Sequence, residues 1–83
     1  MMHELKISKC YADAKVSGDK TFEIRNDIDR GFQKGDKVKY KAVDSLGISI
    51  SHPIDKKIYE ITYVTAYKQQ EGYVVFADKE VKQ

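Results

Sequence analysis

The chain has 83 residues, with 15 Lys+Arg against 13 Asp+Glu, a formal net charge of +2, one cysteine, one proline and no tryptophan. That length has room for one domain over residues 1–83, and a chain this short buries roughly 60–65% of the surface its unfolded form exposes, so any site is expected to be a surface cleft. The lone Cys10 excludes an internal disulfide and a cysteine-cluster zinc site and points to the reducing cytoplasm, while the absence of a signal-peptide pattern or of any apolar run near roughly 18 residues argues against a membrane partner.

Hydrophobic residues make up 41% of the chain, including six tyrosines and three phenylalanines, which is too many for a disordered segment. The charge is unevenly placed, +3 over residues 1–41 and −1 over residues 42–83. The basic excess of the first half permits an anionic partner without demanding one.

Leu5-Lys6-Ile7 alternates and meets Ser8, a good N-cap residue, so the pattern predicts a short strand feeding a helix from about Lys9 to Ser17. Cys10, Tyr11, Ala14 and Val16 form its expected apolar stripe, and Gly18 its expected stop. From Thr21 the period is two: Phe22 and Ile24 share a face assigned to the core, and Thr21, Glu23 and Arg25 share one assigned to solvent. Residues 26–31 read as a polar loop and residues 33–36 as a turn. A second alternating run points Val38, Tyr40 and Ala42 inward and Lys37, Lys39 and Lys41 outward.

Residues 44–57 read as an excursion loop with a short strand at Ile48–Ile50. Ile58 to Ala66 is the longest strand candidate, with Ile58, Val64 and Ala66 on one face and Tyr59, Ile61 and Tyr63 on the other. After a turn at residues 69–72, Tyr73–Ala77 is a last strand before a charged, frayed tail. One early helix and four to six short strands make an α+β chain, a small mixed β-barrel.

The chemistry concentrates at Gly18, Lys20, Glu23 and Arg25. With Phe22 and Ile24 in the core, Glu23 and Arg25 stand about 7 Å apart on an exposed face, where an ion pair alone is worth at most about 1 kcal/mol. This Gly-x-Lys-x-x-Glu-x-Arg pattern, followed by Asn26-Asp27 and by Phe32-Gln33-Lys34-Gly35-Asp36, resembles the signature of ASCH domains, small β-barrels of the PUA-like superfamily. It is similar to their short bacterial and phage branch, a domain of unknown function. The resemblance covers residue 4 to about residue 43, and Gly72-Tyr73-Val74-Val75 is similar to the family's last strand.

The resemblance implies a helix beside a cleft, signature residues lining that cleft, and binding of RNA or a nucleotide-like ligand. Lys20 and Arg25 then hold a phosphate, Glu23 accepts from a base amino group, and Asn26 or Asp27 completes the lining. Because the motif follows the helix, the positive end of the helix dipole is expected to lie away from the cleft. A second branch of the family deacetylates a modified cytidine with a lysine, a threonine and a glutamate, but has a threonine where this chain has Glu23. An amidohydrolase built on Lys20 as base and Thr21 as nucleophile, with Glu23 or Glu71 as the acid, is the alternative, and a protein-interaction module is a third reading.

Lys37, Lys39 and Lys41 make a one-sided stripe able to track an RNA backbone, which a solvated strand face also explains. Among the tyrosines, Tyr67 and Tyr73 are the better candidates for stacking on bases, since Tyr40, Tyr59 and Tyr63 have core parity. His3 and His52 have no metal-site spacing around them, Cys10 reads as a small buried hydrophobe, and no Gly-rich phosphate loop exists, so no metal or cofactor is expected.

Overall fold

Strand β1 (Met2–Ser8) alternates as its sequence does, with His3, Leu5 and Ile7 buried, in a computed structural model that describes residues 1–82. A buried histidine needs a partner for its ring nitrogens, and His3 has one: Nε2 lies 2.8 Å from Asp36 Oδ2 while the ring packs on Phe32 at 4.7 Å. Helix α1 (Lys9–Ser17) has the predicted bounds and ends at Gly18, whose φ of 89° lets its N–H return to the Lys15 carbonyl at 3.2 Å. Its buried residues are Ala12 and Lys15 rather than the expected stripe, and Cys10, Tyr11 and Val16 are exposed. A lysine can face inward here because two carboxylates of the sheet wait beneath the helix.

Strands β2 (Phe22–Asn26), β3 (Lys37–Val43), β4 (Ile58–Thr65) and β5 (Tyr73–Val81) complete one sheet in the order β1-β3-β4-β5-β2. Only β1 and β3 run parallel, from Met2 opposite Lys37 to Ser8 opposite Val43, and the other pairs are antiparallel. The sheet curls into a half-barrel with one helix, an α+β fold of the expected kind. Its two edges, β1 and β2, are left without strand partners on their outer sides.

The apolar core lies inside the curl, where Val38, Tyr40 and Ala42 of β3 meet Tyr59, Ile61, Val74 and Phe76. In β2 the expected faces are exchanged: Glu23 is buried, while Phe22 is 45% and Ile24 56% exposed. Alternation fixes which residues share a face and leaves open which face turns inward; here Lys15 of α1 makes the inner side the better place for Glu23.

Three other expectations are corrected. Ile48–Ile50 forms no strand; it contributes an isolated bridge from Ser49 to Val43, and the turn before it is held by Asp44 Oδ1, which accepts from the N–H groups of Leu46 and Ile48. A 3-10 turn (Pro53–Lys56) follows, capped by His52 Nδ1 on Ile54 N, and it drops Ile54 into the core. In β4 a register shift between Ile61 and Tyr63 interrupts the alternation, so that Tyr59 and Ile61 are buried, Tyr63 turns to solvent and Val64 packs on the core. Finally, β5 runs four residues past Ala77, because Asp78 continues the inward set of Val74 and Phe76 and is itself buried.

Ile54 is the apolar anchor of the 44–57 excursion. Ile54→Ala is expected to lower the unfolding free energy by about 2–5 kcal/mol in urea denaturation, whereas Leu46→Ala, at a side chain 82% exposed, stays within about 0.5 kcal/mol of wild type.

Candidate functional site: an ionic cleft between the sheet edges

The edges β1 and β2 face each other across a cleft of about 610 Å³ whose walls include Lys6 and Ser8 on one side and Phe22, Ile24 and Arg25 on the other, with Tyr11 and Lys20 at its mouth. Side chains rather than a strand ladder span it. Arg25 Nη2 donates to the Lys6 carbonyl at 3.0 Å, and in the adjoining depression Arg30 Nη1, from the loop after β2, reaches the Glu4 carbonyl at 3.4 Å. Lys20 Nζ donates to the Phe22 carbonyl at 2.7 Å and so covers part of the other edge.

The floor is Glu23. Its Oε2 takes Lys20 Nζ at 2.5 Å and lies 3.3 Å from Lys15 Nζ, while Oε1 accepts from Arg25 Nε at 3.2 Å and Nη2 at 3.0 Å. Lys15 also donates to Asp78 Oδ1 at 2.6 Å, and the Tyr40 hydroxyl donates to Asp78 Oδ2. Lys15 Nζ sits 5.1 Å and 5.2 Å from the ring centroids of Tyr40 and Tyr59, so two aromatic faces solvate what the carboxylates leave open.

Burial alone would raise the Glu23 carboxyl, but the Lys20 hydrogen bond and the charges of Lys15, Lys20 and Arg25 outweigh it and hold the group below its ordinary value of 4.5. Burial and the neighbouring Asp78 charge push the Tyr40 phenol far up, so it stays a neutral donor. Three cations thus face two carboxylates, leaving one positive charge in excess in the cluster that underlies the cleft. The cations nearest solvent are Lys20, 15% exposed, and Arg25, 23% exposed. Lys20 Nζ lies 5.2 Å from the ring centroids of both Tyr11 and Phe22, which makes the mouth aromatic as well as cationic.

The structure brings Lys20, Glu23 and Arg25 together as the motif implied, but with Glu23 as the buried counter-ion of the cluster rather than an exposed acceptor. Asn26 and Asp27 serve the following loop: Asn26 Oδ1 accepts from Ile28 N at 2.9 Å and Asp27 Oδ1 from Phe32 N at 2.8 Å. Thr21 is exposed and lines a smaller neighbouring depression with Lys15, Lys20 and Asp78 rather than the cleft itself, and Glu71 is exposed in the β4–β5 turn. Lys37, Lys39 and Lys41 are not brought to the cleft. Lys37 pairs with Glu60, and Lys39 and Lys41 hold Asp55 and the Ile50 carbonyl of the excursion loop.

The chain was also compared with known protein families. Residues 2–77 match the model of a domain of unknown function, DUF3850. The chain belongs to the DUF3850 family. A search of curated proteins gave no significant match.

Much of this DUF3850 cleft and its floor escaped sequence reasoning, including Lys6 and Phe22 of the walls, Ser8 and Tyr11 at the start of α1, and Lys15 and Asp78 below. Lys15 and Ala12 are three apart on one helix face, and Asp78 extends the period of Val74 and Phe76; a charge that continues an inward set was the signal available in both cases. Ser8 and Tyr11 enter because the first turn of α1, not only its end, borders the cleft. The expectation that the positive end of the helix lies elsewhere is therefore corrected: Ser8 makes no side-chain cap, and the opening turn beside it adjoins the cleft. The reason is the curl of the sheet, which carries β2 back beside the end of β1. Cys10 is exposed in that same turn, contrary to its reading as a core residue.

Because the folded-state value of Glu23 is depressed, its contribution to stability is present above the ordinary glutamate range and is lost as pH falls through the folded value. Thermal melts between about pH 3 and pH 7 should show Glu23→Gln clearly less stable than wild type near neutrality, with the gap narrowing below about pH 4.5. A gap of constant size across that range would show that the carboxylate charge does not hold the cluster.

Proposed function

We propose that this chain is a cytoplasmic binding module of the ASCH type, PUA-like in fold, that holds RNA or a nucleotide-like ligand by its phosphate in the cleft between β1 and β2. One observation carries the reading: a largely buried cluster with one uncompensated positive charge opens, through Lys20 and Arg25, into a concavity flanked by Tyr11 and Phe22. Net charge in a low-dielectric site is costly, and an anion placed against Lys20 and Arg25 neutralises it. Arg25, held in place by its bonds to Glu23 and the Lys6 carbonyl, brings a guanidinium charge to the cleft wall, the opening turn of α1 borders the cleft, and the two rings suit the faces of a base. The free Cys10 thiol fits a reducing compartment.

Binding is favoured over hydrolysis by the bonds Lys20 makes. Its ammonium is committed to Glu23 and to the Phe22 carbonyl rather than free to act as a base, and Thr21, the nucleophile of the hydrolase reading, lies outside the cleft lining. Docking of a protein on a flat charged face is disfavoured because the surface is concave and its charges do not cancel.

Nucleoside 5′-monophosphates are expected to raise the melting temperature of the wild-type protein, and Arg25→Ala to weaken their binding by about tenfold or more. Affinity should fall steeply as salt rises from about 50 to 200 mM, and an acylated cytidine incubated with the protein should keep its mass. No stabilisation by any nucleotide, or affinity indifferent to salt, would sink the proposal; loss of the acyl group would replace it with the hydrolase.

A further inference from the structure

Phe22 belongs to two surfaces, the rim of the cleft and the outer face of the sheet. Register places Tyr63 opposite Ala77 and Ala77 opposite Phe22, and the next row is Thr65, Val75 and Ile24. Tyr73 follows along β5, opposite Asn26. Directly paired residues project to the same side of a sheet, and the alternate residues Glu23, Val74, Phe76 and Asp78 are buried, so these rows form the outer face. Tyr63 is 64% exposed, Ile24 and Phe22 are largely exposed, and the smaller side chains between them are half-buried.

The rows hold no charged side chain. Further along the sheet Glu60 and Lys79 stand opposite each other in the register at one end, and Lys20 and Arg25 lie at the cleft side. Phe22 and Tyr63 stand two strand spacings apart, about 10 Å, over a floor of Ala77 and Val75 that is low enough for flat groups to lie between them. Tyr63 points outward only because of the register shift after Ile61; uninterrupted alternation would have placed it with Tyr59 and Ile61 in the core.

Resting on the nucleotide reading of the cleft, we infer that this outer face is a stacking platform for the bases of single-stranded nucleic acid, with Phe22 at the junction and Tyr63 and Tyr73 beyond it. Charge complementarity selects that occupant. The positive excess lies at the Phe22 end, where a backbone phosphate enters the cleft, and the uncharged aromatic rows lead away from it, where bases present π faces and no charge. Stacking tolerates any base, so the platform adds affinity with length rather than sequence preference.

The test compares adenosine 5′-monophosphate with single-stranded oligoadenylates of about eight nucleotides, RNA and DNA, and with a duplex of the same length, against wild type, Tyr63→Ala, Tyr63→Phe and Arg25→Ala. The single strands should bind about tenfold or more tighter than the mononucleotide. Tyr63→Ala should weaken the single strands by about 5- to 100-fold and leave the mononucleotide unchanged, while Tyr63→Phe keeps wild-type affinity. Because Tyr63 is outside the core, circular dichroism of Tyr63→Ala should match wild type. Single strands bound no tighter than the mononucleotide, or no effect of Tyr63→Ala, would overturn the platform and leave the cleft reading standing. Silence of wild type toward every probe would overturn both. Duplex bound as tightly as single strands, or a dimer in sedimentation that Tyr63→Ala dissolves with no gain from strand length, would also overturn the platform, the latter in favour of a second copy of the chain.

Discussion

The structure turns on the Lys15 ammonium. It lies inside the half-barrel, bonded to Asp78 of β5, close to Glu23 of β2 and over the rings of Tyr40 and Tyr59 from β3 and β4, so one helix residue touches four strands. Burying a cation is costly unless every face of it is answered, and here carboxylates and aromatic rings answer it together. The arrangement of β2 follows. Once Glu23 turns inward to Lys15, the strand's period of two sends Phe22 and Ile24 out, and the outer face of the sheet becomes apolar at the same place where the inner face becomes ionic.

That reversal shows what a sequence of this kind conceals. The strand at residues 22–26 was legible because its alternation is strict, and the helix because Ser8 and Gly18 bracket it. The side of β2 that faces the core was not, because hydrophobicity is a guide to direction only where the interior is apolar, and this interior is locally a salt bridge network. Tyr63 was misplaced for a different reason: a one-residue register shift leaves no mark in composition, and everything after it in the strand changes sides. The lysines of β3 were placed correctly on the outer side, but the partners of Lys39 and Lys41 come from a loop whose path depends on His52 and Ile54 docking, which no local pattern encodes.

Only part of the cluster was legible in the sequence, and its mechanics were not. Lys20, Glu23 and Arg25 converge as their spacing in one short segment demands, yet the residues that give the cluster its electrostatic character, Lys15, Asp78 and Tyr40, come from three other elements. Membership in the DUF3850 family assigns no activity. The distinctive feature of the convergence is an imbalance of charge, a property of the assembled cluster that no single residue carries.

The unclosed sheet has a further consequence. An open edge offers unpaired peptide groups to any other strand, and this half-barrel has two such edges. It shields them by turning each toward the other and placing cations between: Arg25 and Arg30 occupy carbonyls of β1, and Lys20 occupies one of β2. The side chains that give the cleft its positive charge are therefore also what keeps its walls from recruiting a foreign strand. Loss of an arginine at this seam removes charge and at the same time uncovers backbone, so an altered electrostatic surface and a tendency to edge-to-edge association arise from the same lesion.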